Sequence, residues 1–476
     1  MTAFANFFGG QIQLLRPAFL AKSQTAAYDP TKHNAQDTND LLQASQSHAD
    51  ALAALAMGTT YAALSDFGSK PADGDHTAKF KQAVTWCIAN GKTLVCPFPI
   101  RLSSTTDMLP PSGKSEFTLN ILGTGAIGVA PVTWIGPSGT PDNCQRIFNV
   151  AGMRSSTVSN MGFEVPKGTH DVLGWDLDTL AGKPAAGSTP AEPNISTTGT
   201  NTFNFCGFNI HNGVNNKGFR LGHLSQAGAD LSNIGWESCY FYGNGEFAAD
   251  GSSPAAAAAI EGQFAIQIEG PNCLTNYAKN CTFGYLKNGI TTKPGSFNST
   301  SAYAPSVLTG NGDFTLYGGV FSHCYRDVHY NNGQPFRFLG TRHENGRQLL
   351  WMPDGGDAPL ITFRDCMVDD YTGETSGPEL GAVIRIGRPA SLMLDQVHIG
   401  PGSGKPSNLI MLNNFNGRAK MGSLTVIGGG YPAGNTFYTV EGDAAGAPRF
   451  GITVINATQL DGNNEPTTPF ANRMTQ

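Results

Sequence analysis

The feature that most constrains this chain is a short pattern that returns at uneven distances. Cys206-Gly-Phe208, Cys239-Tyr-Phe241, Cys281-Thr-Phe283 and Cys366-Met-Val368 each place a cysteine two residues before a large apolar side chain. A period of two is that of a β-strand, so both side chains of each pair share one face. Gly319-Val-Phe321 and Thr341-Arg-His343 take the same register between the third and fourth copies, giving successive offsets of 33, 42, 38, 22 and 25 residues. A strand that returns at drifting, coil-length intervals predicts a solenoid whose turns stack on one another. An all-β sandwich, the main rival, calls for even spacing and two-residue hairpins. Turn signals recur with the strands, at Asn212-Gly213, Asn244-Gly245, Asn288-Gly289 and Asn345-Gly346.

Stacked coils would pile the cysteines into an internal column packed as small apolar groups, with no need of disulfides. The nine cysteines include no Cys-x-x-Cys pair, and the histidines lack ligand spacing, so neither a metal nor another cofactor is expected. Fifty-nine glycines and only 14% charged residues suit short strands joined by tight turns. The formal charge of −6 argues against a general grip on nucleic acid, which needs clustered Lys and Arg. No stretch approaches the roughly 20 apolar residues of a membrane span, and no membrane insertion is expected. The first residues show no secretion signal, which suggests reduced thiols.

Residues 1–35 read as an attachment peptide with aromatics at Phe4, Phe7 and Phe8. From Asp37 to Met57, Leu41, Ala44, His48, Ala51 or Leu52, and Leu55 follow a heptad-like seam that Gly58 ends. The seam fits either a short oligomerisation helix or a surface helix packed on its own domain. A helix is expected over Ala78–Asn90, with Phe80, Val84, Cys87 and Ile88 on one face, followed by a Gly91 stop and a strand from Thr93. Polar inserts near 179–201, 248–260 and 293–311 should project as loops. Gly123-Thr-Gly-Ala-Ile-Gly128 matches a dinucleotide fingerprint by letter, but the extended stretch after it marks a β-helix turn.

Asp66-Phe67-Gly68, Asp73-Gly74 and Thr77, then a helix and Thr93-Leu-Val-Cys-Pro97, resemble the opening motif of pectate-lyase-like β-helix proteins. Phage tailspikes and polysaccharide depolymerases often open this way. The motif departs from the family at Asp75-His76, where a doubled Asp is usual, and lacks the Gly and Tyr after the Pro. The resemblance implies an all-β fold: a right-handed, single-stranded parallel β-helix, trimeric, with a short N-terminal helical attachment region. The divisions expected are attachment peptide and oligomerisation helix over 1–60, capping helix and first rung over 61–115, β-helix over 116–460, and a tail over 461–476.

If the Cys and Phe columns face inward, the next residue of each coil faces out, giving a column of Tyr242, Gly284, Ser322, Glu344 and Asp369. Glu344 and Asp369 would then stand on adjacent coils like the close carboxylates of retaining glycosidases, about 5–5.5 Å apart. One carboxyl held protonated beside an ionised neighbour can donate to a glycosidic oxygen. Asp370 is the reserve catalytic candidate. Arg342 could neutralise an acidic sugar or lower a carboxylate pKa, while Tyr240 and Tyr242 offer flat surfaces to sugar rings. Outward acids can equally be solvated surface. Of His323, His329 and His343, the register turns His343 inward, where a satisfied core histidine is the common use.

The resemblance implies a virion tail component, assembled in the host cytoplasm, that binds and cleaves bacterial surface polysaccharide. Its partners would be that polysaccharide, other tail or baseplate proteins through residues 1–60, and two further copies of itself. A non-enzymatic receptor-binding or structural appendage is the alternative. A free bacterial lyase is the third, although the Asp cluster for the Ca²⁺ such lyases commonly use is not evident. Hydrolase, lyase and binding-only readings stay open.

Overall fold

The computed structural model describes residues 60–475, apart from 115, 126–130, 135–145, 165–172, 179–199, 211–216, 222–231, 244–262, 269–272, 293–311, 332–334, 354–358, 372–381, 389, 401–407, 414–421, 433–435, 442–449, 461–465 and 470–473. The expected attachment peptide and oligomerisation helix therefore lie outside the described residues, as do the three polar inserts, except for residues 200 and 201.

The described strands form three sheets of 14, 13 and 11 strands, called A, B and C in the order the chain first visits them. One coil takes a strand from each. Asn276–Lys279 lies in A, Thr282–Gly284 in B and Asn288–Thr292 in C; the next coil follows with Phe314–Tyr317, Val320–Ser322 and Arg326–His329. Neighbouring coils pair in parallel in all three sheets. This is the expected right-handed parallel β-helix, in keeping with the handedness of parallel crossovers.

The A-to-B corner explains the returning cysteine. Its first residue sits in the left-handed region, with φ near +50 to +65° at Phe205, Ser238, Asn280, Gly318, Gly340 and Asp365. That residue's amide donates to the last A-strand carbonyl of the next coil, as in Ser238 N to Lys279 O at 2.9 Å. The ladder of hydrogen bonds thus continues round the bend, and the corner leaves no orphaned amide. The second corner residue points inward at Cys206, Cys239, Cys281 and Cys366, all at most 1% exposed. The same position holds buried Met161 and Val397 in other coils, and where it is a cysteine the thiol reaches a carbonyl of the preceding coil, such as Cys239 Sγ to Phe203 O at 3.1 Å.

Two residues on, the apolar partners stack one per coil. Phe163, Phe208, Phe241, Phe283, Phe321 and His343 form a ladder with centroid spacings of 4.6–5.1 Å and near-parallel planes. The spacing equals that between strands, about 4.8 Å. The registers Phe283↔Phe321, Phe321↔His343 and His343↔Val368 match the alignment drawn through Gly319 and Thr341.

The N-terminal end of the stack is covered by a helix. The helix Thr77–Asn90, one residue longer than expected, buries Phe80, Val84 and Cys87 and sets Phe80 5.7 Å from Phe148. Asp75 Oδ1 accepts both the amide and the hydroxyl of Thr77, and His76 accepts the Arg101 amide, which ties the family-like motif to the cap. Gly91, at φ +62°, stops the helix. At the other end Pro466–Pro469 and Met474–Thr475 turn back antiparallel on the last coil. The strand Pro131–Trp134 follows the fingerprint-like glycines, as expected of a β-helix turn.

One turn signal is corrected. Asn288-Gly289 opens the C strand Asn288–Thr292, and the corner of that coil is Tyr285 at φ +56°. Gly289 is required by packing, since a Cβ there would lie 2.5 Å from the Phe321 ring.

The eight described cysteines are free and buried, and desolvation pushes thiols such as Cys239 and Cys281 well above their usual range. Nine cysteines less these eight leaves Cys144. A water-soluble disulfide reagent is expected to modify at most that one thiol in native protein and all nine after unfolding; fast native reaction of any other sulfur would contradict the internal column.

Candidate functional site

Inward corners and inward rings leave the alternate B-strand residues facing out. The register runs Tyr242↔Gly284↔Ser322↔Glu344↔Asp369 without a slip. Glu344 and Asp369 are therefore direct partners on adjacent coils. On the neighbouring column Tyr240, Thr282, Val320, Arg342 and Met367 are likewise in register.

Arg342 joins the two acids. Its Nε lies 3.1 Å from Glu344 Oε2 and its second guanidinium nitrogen 3.6 Å from Asp369 Oδ2. The arginine is 56% exposed while the acids are only 29% and 22% exposed, so the carboxylates sit in a shallow recess beneath it. Of the two roles open to Arg342, its position serves the carboxylates of this chain. Asp370 follows Asp369 at the B-to-C corner, exposed and at φ +56°. Asp369 is pushed above the usual carboxylate range, first by burial and then by the charges of Asp370 and Glu344, with Arg342 pulling the other way.

Tyr240 is exposed and Tyr242 half-buried. Tyr242 stands three register steps before Glu344, roughly 14 Å at one strand spacing per step. The structure therefore brings Arg342, Glu344, Asp369 and Asp370 together and sets the tyrosines farther along the same face.

Two side chains that were not singled out as a pair lie between them. Tyr285 stacks on His323 with centroids 4.7 Å apart, and Tyr242 lies 6.4 Å behind Tyr285. Both occupy the corner position just beyond the outward column, so extending the register by one residue would have exposed them. Just before the C strands Lys287 Nζ lies 3.5 Å over the Tyr325 ring, and on sheet C the Arg326 guanidinium lies 4.0 Å over Trp351. His329 stacks on Trp351, and burial together with the Arg326 and Lys287 charges holds its ring well below its usual range.

His343 faces inward, as the register requires. It replaces a phenylalanine in the ladder and is fully buried. Its Nδ1 donates to Asp327 Oδ2 at 2.7 Å, its Nε2 lies 2.8 Å from Thr341 Oγ1, and that hydroxyl lies 3.1 Å from Cys366 Sγ. Tyr371 OH also donates to Asp327 Oδ2. A Cβ on Gly346 would lie 2.6 Å from the Tyr371 ring, so that glycine makes the room through which the tyrosine reaches in. Burial disfavours a charged imidazole, but the hydrogen bonds and charges of Asp327 and then Cys366 outweigh it and raise His343 to about 9. Sealed from solvent, this group joins coils and cannot touch a substrate.

Among the described residues no cluster of three His, Cys, Asp or Glu side chains could hold a metal ion. No helix among them is long and apolar enough to cross a membrane.

Three sheets wound in parallel by one chain, with a continuous register, decide the class. The chain is a parallel β-helix protein. No protein-family model matches it, and no curated protein does. Among solved structures the β-helix is similar to the tailspike protein of an Acinetobacter phage at 14% identity and a TM-score of 0.47, covering 87% of this chain and 63% of that one. It is similar to the catalytic unit of an α-1,3-glucanase from Streptomyces thermodiastaticus at 13% identity and a TM-score of 0.42, covering 82% and 71%. It is also similar to a surface adhesin of Streptococcus pneumoniae at 13% identity and a TM-score of 0.45, covering 87% and 97%. The chain thus spans less than two thirds of the phage tailspike's length.

The buried His343–Asp327 pair predicts a pH signature. A histidine raised on folding contributes stability that is complete below its unfolded value of about 6.5 and lost as pH rises through its folded value. The urea midpoint should therefore fall as pH climbs towards and through about 9. His343→Phe alone leaves a buried acid unpaired and is expected to cost about 3–5 kcal/mol. The triple change His343→Phe, Asp327→Leu, Tyr371→Phe should recover much of that and flatten the pH dependence; an unchanged slope in the triple variant would assign it elsewhere.

Proposed function

We propose that this β-helix is a tailspike-like virion protein that binds a bacterial surface polysaccharide along the outer face of sheet B and hydrolyses it at Glu344 and Asp369. The observation that carries the reading is the direct pairing of those two acids on adjacent coils under one shared guanidinium.

The chemistry follows from their unequal surroundings. Burial and neighbouring negative charge push Asp369 up, which suits a carboxyl that keeps its proton and gives it to the leaving glycosidic oxygen. Glu344, nearer the arginine, serves as the base or nucleophile on the opposite side of the scissile bond. Adjacent strands hold the backbones of paired residues about 4.8 Å apart, close to the roughly 5–5.5 Å that separates the carboxyls of a retaining pair. Asp370 contributes charge beside Asp369, and Tyr240 and Tyr242 give flat faces to sugars farther along the groove.

A second reading, binding without cleavage, is favoured by a pair elsewhere on the molecule. Arg364 Nε and Asp395 Oδ2, on adjacent coils of sheet A, lie 2.7 Å apart, so ion pairs between coils also serve as structural fasteners. In that reading the chain is a receptor-binding or structural appendage. In either reading, residues 1–60 would dock on other tail or baseplate proteins, the particle would be assembled in the host cytoplasm, and three copies would associate.

Two measurements test this. Incubation with purified capsule or lipopolysaccharide should release new reducing ends, and Glu344→Gln or Asp369→Asn should lower the rate by about 10²-fold or more while leaving binding intact. Binding with no new reducing or unsaturated ends would select the second reading. Sedimentation at micromolar concentration should give three times the chain mass, and a monomer there would refute the trimer.

A further inference from the structure

The B-to-C corner carries a column of Gly243, Tyr285, His323, Asn345 and Asp370, of which the proposed chemistry uses only Asp370. Each of the first four donates its amide to the last B-strand carbonyl of the following coil, at 2.8 Å for Gly243 to Gly284 and 3.0 Å for Tyr285 to Ser322, His323 to Glu344 and Asn345 to Asp369. His323 is thus bound, through its backbone, to the residue proposed as nucleophile or base.

Two features of this corner are unusual. Tyr285 and His323 both hold φ at +56°, a region that bulky side chains rarely adopt. Their rings are half-buried and stacked at 4.7 Å with planes 15° apart, and Tyr242 backs the stack. The stack then stops, because the next corner residue is Asn345. His323 is its terminal ring on the side of the acids.

The ring is also oriented. His323 Nδ1 lies 2.8 Å from Ser322 Oγ, and Ser322 is the outward residue one register step before Glu344. Among the described residues nothing else hydrogen-bonds the imidazole, which leaves Nε2 open. Stacking and the serine bond therefore fix the plane and spin of a ring whose second nitrogen is unoccupied, one coil from the paired carboxyls.

We propose that His323 is a ligand-contacting residue of the polysaccharide site, its Nε2 hydrogen-bonding a hydroxyl of the saccharide unit seated over Glu344 and Asp369. This rests on the reading of that groove as the glycan site. A hydroxyl is the ligand chemistry that fits. It both donates and accepts, so it satisfies Nε2 in either tautomer, whichever way the serine proton points. An acidic sugar group fits less well, since the charges of Glu344 and Asp370 already outnumber that of Arg342.

The test separates this role from a structural one by choice of variant. His323→Phe keeps a flat ring on Tyr285 and removes the nitrogen; His323→Gln gives up the ring and keeps a group that can donate and accept. Full-length protein is first screened against a panel of immobilised capsular and O-antigen polysaccharides, and the one retained by the wild type is then titrated. His323→Phe is expected to bind about tenfold more weakly with an unchanged melting temperature, and His323→Gln to recover part of the loss. Wild-type affinity in His323→Phe overturns the contact while leaving the groove reading intact, as does a loss of affinity that tracks a fall in melting temperature. A wild-type protein that retains none of the polysaccharides overturns both.

Discussion

Everything in this molecule depends on equivalent residues of successive coils standing one strand spacing apart. The spacing is set by backbone hydrogen bonds that run through the strands and, because one corner residue is left-handed, round the A-to-B bend as well. Once that repeat is fixed, side chains have little freedom. Buried residues follow the bend, large apolar groups stack in the next inward position, and whatever lies between them faces solvent. The Cys column, the Phe ladder and the acid pair are three consequences of one backbone periodicity.

That is why so much of the fold could be read from the sequence. Cysteines at 206, 239, 281 and 366 mark the small corner position, and Phe208, Phe241, Phe283 and Val368 mark the ladder two residues on. The alignment survived substitution of the marker by Gly319 and Thr341 because the position calls for a buried inward residue and not for thiol chemistry. The pairing of Glu344 with Asp369 then followed by counting. What counting could not supply is how side chains meet across the interior. Asp327 belongs to a C strand sixteen residues before His343, and nothing in local spacing announces that the two touch. Nor does the letter pattern reveal that Asn288-Gly289 lies in a strand, since the demand for glycine comes from the Phe321 ring of the next coil. His323 stands out in the sequence as a histidine, but its stacking on Tyr285 does not, because a corner is expected to carry Gly, Asn or Asp and a tyrosine there runs against propensity.

The outer and inner faces of sheet B treat charge in opposite ways. Outside, two acids share one exposed guanidinium, and water screens what the arginine does not cancel. Inside, one acid is matched by one imidazole, with a tyrosine hydroxyl on the same oxygen, because a low-dielectric interior tolerates no unmatched charge. Glu344 and His343 are consecutive residues, so adjoining side chains of one strand serve these two regimes.

The variable coil length has a consequence for how such a chain can change. Lengths of 22 to 42 residues are accommodated with no break in the register of sheet B, so added segments are absorbed between strands. A whole turn can be gained or lost and its neighbours still meet correctly, whereas one residue inserted within a B strand would exchange the wet and dry faces of everything up to the next corner. Divergence in this architecture should proceed by modules and by loop growth, with the spacing from corner to ring preserved as a reading frame.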